Sequence, residues 1–95
     1  MSAAAAAGIA ERFAVRVMVT DAWDTVFLAA GPETTVAELK RQALTRALKQ
    51  AAPPLGEYLV KFRGAAVLDE TTLGALGAGA NAPFIVLPAR RRAVR

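Results

Sequence analysis

Apolar and polar positions alternate from Phe13 to Thr20, with Phe13, Val15, Val17 and Val19 on one side and Ala14, Arg16, Met18 and Thr20 on the other. A period of two is that of a half-buried strand. Thr25 to Ala30 repeats the pattern, with Val26, Leu28 and Ala30 on one face. Between the two runs, Asp21, Ala22, Trp23 and Asp24 supply turn chemistry, because an aspartate can bond its own backbone. The two runs therefore predict a hairpin. Gly31-Pro32 stops the second run, and Thr35-Val36-Ala37-Glu38 has the spacing of a capping box, which opens a helix. Val36, Leu39, Ala43, Leu44, Ala47 and Leu48 then form one apolar stripe at helical period, predicting a helix from Val36 to about Gln50 that Pro53-Pro54 ends. Lys40, Arg41, Arg46 and Lys49 are assigned to its solvated side.

Alternation returns from Tyr58 to Arg63, where Val60 and Phe62 oppose Leu59, Lys61 and Arg63, and Gly64 closes the run before a short strand over Ala65 to Leu68. Asp69-Glu70-Thr71-Thr72 and the glycines at 74, 77 and 79 predict a connection that turns repeatedly, with Leu73 and Leu76 as inward anchors. Phe84 to Leu87 is a continuous apolar run short enough for a central strand, and Pro83 is tolerated at a strand's first residue. The element order predicts an α+β domain in which a mixed sheet of four or five strands carries one helix across a face.

Composition narrows what such a domain can do. Of 95 residues, 55% are hydrophobic, but 23 are alanine, so 29 larger apolar side chains must furnish one modest core. The chain divides into an alanine-rich leader over 1–11, read as disordered or transiently helical, a folded domain over 12–88, and a basic tail over 89–95. Cysteine and histidine are both absent, which removes disulfides, thiol catalysis, thiolate metal sites and the commonest general base. The expectation is a protein that is not an enzyme and takes no cofactor. No stretch reaches the roughly 20 apolar residues that span a bilayer, and the leader lacks a secretory pattern, so the expected location is cytoplasmic.

The spacing over Phe13 to Leu87 resembles ubiquitin and the β-grasp family. Two parts carry the likeness: Gly31-Pro32 through the Thr35-capped helix, and Tyr58-Leu59-Val60-Lys61-Phe62-Arg63-Gly64 through Val67-Leu68-Asp69-Glu70-Thr71-Thr72-Leu73 to Phe84-Ile85-Val86-Leu87. The second part can be laid on ubiquitin without a gap. The resemblance implies a ubiquitin-like β-grasp fold in which Arg16, Met18, Phe27, Lys61, Ile85 and Leu87 point outward from neighbouring strands. Lys61, Ile85 and Leu87 match the ubiquitin patch that partners bind, which implies a protein partner for this face.

The departures from the family bear on activity. Ubiquitin acts through a C-terminal diglycine that an activating enzyme adenylates, and Arg92-Ala93 stand where that pair would fall. Covalent modification of other proteins is therefore the least favoured reading. Small bacterial ubiquitin-like proteins of the YukD type, linked to type VII secretion, also lack the diglycine. Together with an alanine- and arginine-rich composition, this implies a bacterial, monomeric interaction module with a protein partner of unknown identity, a secretion-system component being one candidate.

The net charge of +4 is concentrated in Arg90, Arg91, Arg92 and Arg95, and the remaining residues balance at 8 basic against 8 acidic. A run of this kind can neutralise phosphates without reading sequence, so weak polyanion binding, to nucleic acid or an anionic membrane, is the alternative function. Asp69-Glu70 reads as turn or cap duty rather than an acid–base pair, and Asp21 and Asp24 around Trp23 as turn chemistry rather than a metal or aromatic-ligand site.

Overall fold

A computed structural model describes residues 12–89. The leader over 1–11 and the arginines at 90–95 lie outside the described residues. Within them the chain forms β1 (Phe13–Val19), β2 (Asp24–Ala30), α1 (Val36–Leu48), a 3-10 turn (Leu55–Glu57), β3 (Tyr58–Phe62), β4 (Ala65–Val67), α2 (Leu73–Leu76) and β5 (Pro83–Pro88). The five strands make one mixed sheet in the order β2-β1-β5-β3-β4. β5 enters last and fills the centre, parallel to β1 and antiparallel to β3. That position explains why the Phe84–Leu87 run is continuously apolar.

Alternation separates the two faces of the sheet. Val15, Val17, Val19, Val26, Leu28, Val60, Phe62, Phe84 and Val86 are buried on the face that α1 crosses, where Leu39, Ala43 and Leu44 meet them. The Phe62 and Phe84 rings pack at 4.8 Å between centroids and 45° between planes, a favourable tilted pair. Between β3 and β4, Arg63 at φ 56° and Gly64 at φ 87° form a two-residue turn with both central residues left-handed, which matches the twist of a hairpin. Gly64 takes this conformation without strain.

The start of α1 is stitched to the segment after β4. The amide of Val36 donates to the Thr71 carbonyl at 2.8 Å and that of Ala37 to the Asp69 carbonyl at 2.9 Å, while Glu38 N–H donates to the Thr35 hydroxyl at 3.2 Å. Three first-turn amides that a helix cannot satisfy internally thus find acceptors. The hydroxyl half of the predicted capping box forms; the Glu38 carboxylate makes no return bond. In reciprocal fashion Leu73 N–H donates to the Thr34 carbonyl and Gly74 N–H to the Pro32 carbonyl. Gly74 approaches so closely that a Cβ there would lie 3.0 Å from the Pro32 oxygen and 3.1 Å from its Cβ.

Four sequence expectations need correction. Lys40 is not on the solvated side of the helix: it is 2% exposed, and its Nζ lies 3.0 Å from both the Asp69 Oδ2 and the Tyr58 carbonyl. Asp69 accordingly does more than turn duty, because its carboxylate holds that ammonium. The helix ends at Leu48, ahead of the prolines, where Lys49 takes the left-handed conformation at φ 58°. The connection after β4 contains a short helix, α2, whose first turn is capped when Ala75 N–H donates to the Thr72 hydroxyl. Four residues are too few to show a helical period.

Two substitutions test this arrangement. Asp69→Ala strands a buried ammonium with one backbone acceptor and is expected to cost about 2 kcal/mol, low for a buried pair because Asp69 is half exposed. Lys40→Met removes the charge itself and is expected to cost less than Asp69→Ala; urea denaturation at neutral pH measures both. Gly74→Ala forces the Pro32 contact apart and is expected to cost about 1–3 kcal/mol by the same measurement.

Candidate interaction face

Outward positions of the strands follow from pairing register. Met18 lies beside Ile85, Ile85 beside Lys61, and Lys61 beside Ala66, so one row crosses four strands. Arg16 pairs with Phe27 on one side and Pro83 on the other, forming the next row. Leu87 lies opposite Leu59. The six residues named from sequence, Arg16, Met18, Phe27, Lys61, Ile85 and Leu87, therefore share one face, opposite the face covered by α1. Phe27 is 56% exposed and Ile85 41%, while Met18, Lys61 and Leu87 are half-buried and Arg16 is exposed.

Leu59 belongs with them and was not among the six. It is half-buried beside Leu87, and the same alternation that placed Val60 and Phe62 inside places it outside. Two polar contacts order the face. Arg16 Nε donates to the Asn81 carbonyl at 3.4 Å, and the Thr25 hydroxyl donates to the Met18 sulfur at 3.9 Å. Arg16 and Lys61 are the charged residues at outward strand positions, and no carboxylate stands among these positions. Arg63, in the turn beside them, lies over the Phe62 ring at 5.0 Å. The face is thus apolar with a basic border, a composition suited to association rather than chemistry.

No protein-family model and no curated protein matches the chain. Solved structures do. A ubiquitin from Caldiarchaeum subterraneum superposes with a TM-score of 0.67 at 18% identity, over 86% of this chain and 99% of that one. The chain has the ubiquitin-like β-grasp fold. The ubiquitin-like domain of Plasmodium falciparum Dsk2 gives 0.69 at 19% identity over 82% of this chain and 99% of its own. A computational design based on ubiquitin gives 0.69 at 15% identity, over 88% and 98%.

The β1–β2 turn sits at one end of the sheet. Trp23 N–H donates to the Thr20 carbonyl at 3.1 Å, and Trp23 then adopts φ 53°, a left-handed position that glycine fills most readily in such a turn. The residue is 78% exposed. The Tyr58 hydroxyl donates to Asp21 Oδ2 at 2.6 Å, tying the turn to the start of β3 across the end of β5. Among the described residues no three carboxylates converge as a metal would need, and no helix is long and apolar enough to cross a membrane. Trp23→Gly is expected to raise stability by about 0.5–1 kcal/mol through relief of the left-handed strain, read as a higher denaturation midpoint.

Proposed function

We propose that the protein is a non-catalytic, non-conjugated ubiquitin-like module that binds a protein partner through the outer face of its sheet. The observation that carries this reading is the coincidence of exposed Phe27 and Ile85 with Met18, Leu59 and Leu87 on one face, whose charged strand positions, Arg16 and Lys61, are both cations. Leaving such side chains in water forgoes roughly 25 cal/mol for each Å² of apolar surface, which association can recover. On this reading the charged positions suggest the partner's chemistry: apolar side chains flanked by carboxylates complement Arg16 and Lys61, and a basic partner is repelled.

Conjugation is disfavoured because Arg92-Ala93 replace the two glycines at the spacing where ubiquitin carries them. Side chains there would not pass the narrow channel of an activating enzyme. The absent diglycine and the alanine- and arginine-rich composition support a cytoplasmic bacterial setting of the YukD type, with a secretion-system component as partner. Polyanion binding by Arg90, Arg91, Arg92 and Arg95 is the competing reading, favoured by their density alone.

Ile85→Asp and Leu87→Asp, each placing a carboxylate on the face, test the proposal. Both are expected to weaken capture of the cognate partner by about tenfold or more, the scale of an interface hot spot, with an unchanged far-ultraviolet circular dichroism spectrum. Undiminished capture by both folded variants, in pull-downs resolved by mass spectrometry, would remove the sheet face from consideration. Loss of capture only when the four arginines are replaced would favour the polyanion reading.

A further inference from the structure

We propose that the free edge of β2 is a self-association edge held closed by Arg46: its guanidinium occupies a carbonyl that β2 of a second copy needs, and losing it lets two chains pair strand to strand. The proposal stands independently of the sheet-face reading, because it rests on backbone groups at the border of the sheet. β2 and β4 are the two edges, and they differ. β4 offers a template of 3 residues, whereas β2 offers 7, with no proline, no lysine and a charge only at Asp24. Short length, proline and lysine are the usual protections of an edge, since an open one invites pairing with another chain.

The bonds of β1 show which groups of β2 are open. The Ala14 carbonyl accepts from Asn81 N–H at 2.7 Å, and Arg16 N–H donates to the Ala82 carbonyl at 3.0 Å, so both residues turn their backbone away from β2. Their partners Ala29 and Phe27 therefore hold non-hydrogen-bonded positions in the β1–β2 ladder, as Thr25 does at the same period, and these residues point their N–H and C=O groups off the edge. All of them are exposed. One of these groups is taken. Arg46 reaches down from α1, and its Nη1 donates to the Phe27 carbonyl at 3.0 Å, at the middle of the strand. Among the described residues no other side chain bonds the open groups of this edge.

The sequence of the strand identifies the occupant as a second copy. A two-fold axis through Phe27 sets Phe27 against its counterpart, Thr25 against Ala29, Val26 against Leu28 and Asp24 against Ala30. No like charges then stand opposite each other, each pair of open residues exchanges two backbone bonds, and inward apolar residues meet inward apolar residues. Arg46 opposes this arrangement twice. Its guanidinium sits where the N–H of Phe27 from the second copy must arrive, and the axis brings two guanidinium groups together, whose charges repel. A charge-assisted bond thus serves in place of the proline or lysine found on other edges.

Size-exclusion chromatography with light scattering, on the full chain over a concentration series, tests the guard. The unaltered chain is expected to stay monomeric, and Arg46→Ala to lower the dissociation constant of self-association by about tenfold or more, the scale of one charge-assisted hydrogen bond. Arg46→Met keeps an unbranched stem without donors and is expected to act alike. In the dimer the amides of Thr25, Phe27 and Ala29 should gain protection from hydrogen exchange. Ala29→Pro removes a donor that points off the sheet, so adding it to Arg46→Ala should restore the monomer. If Arg46→Ala and Arg46→Met stay monomeric at every concentration, the proposal is overturned. A dimer that leaves those amides unprotected, or that survives Ala29→Pro, also overturns it, because another surface then joins the copies. So does an unaltered chain already paired along β2, since Arg46 is then no guard, and so do oligomers that grow beyond two copies, which a two-fold junction does not build.

Discussion

A lysine ammonium enclosed in the fold needs two acceptors at once, and in this protein they come from different parts of the chain. Lys40 projects from α1, the Tyr58 carbonyl opens β3, and Asp69 follows β4; Nζ meets both oxygens at 3.0 Å. A displacement of any one element would deprive an ammonium that is 2% exposed of one of its acceptors. The net stability from such a pair is small because Lys40 gives up its hydration, yet removing its partner leaves an enclosed charge under-compensated. The contact therefore acts as a constraint on registry. It is reinforced where the carbonyls of Asp69 and Thr71 receive the first amides of α1, and where Gly74 packs against Pro32 without room for a side chain. Helix start, hairpin end and the short helix α2 are positioned as a group, and the sheet is held against α1 by what they share.

Positions that answer to a period were legible in the sequence. The alternations at Phe13–Thr20, Thr25–Ala30 and Tyr58–Arg63 marked three strands and the facing of their side chains, whereas the grouping of Arg16, Met18, Phe27, Lys61, Ile85 and Leu87 on one outer face came with the family resemblance. Strand order was not periodic information and came from family resemblance. What escaped were features set by tertiary contact. Lys40 departs from the apolar stripe of α1, and nothing in its own segment announces that Asp69, 29 positions later, will cover it. The left-handed residue that ends α1 is a lysine, so the glycine that usually marks a helix end is missing. In α2 the four residues Leu73–Leu76 owe their helical form to the Thr72 cap and to bonds with Pro32 and Thr34.

The same alternation that builds the core also creates the outer face, because each strand that sends valine inward must send its next residue outward. On many sheets those outward positions are polar. Here they include Met18, Phe27, Leu59, Ile85 and Leu87, and the charges between them are of one sign. Neither property helps the domain fold: the core is complete on the other side, and Arg16 and Lys61, on β1 and β3 with β5 between them, find no carboxylate among the outward strand positions. A sheet face that is apolar and uniformly basic is better suited to recognition than to solvation.

The acidic groups are displaced from that face. Asp21, Asp24 and Glu57 stand toward the end of the sheet where β5 finishes, so the described charges divide, with cations on the outer sheet face and carboxylates at that end. Exposed charges are screened by salt, so whatever Arg16 and Lys61 contribute to an association on the outer face falls as ionic strength rises, while the share from its apolar side chains does not.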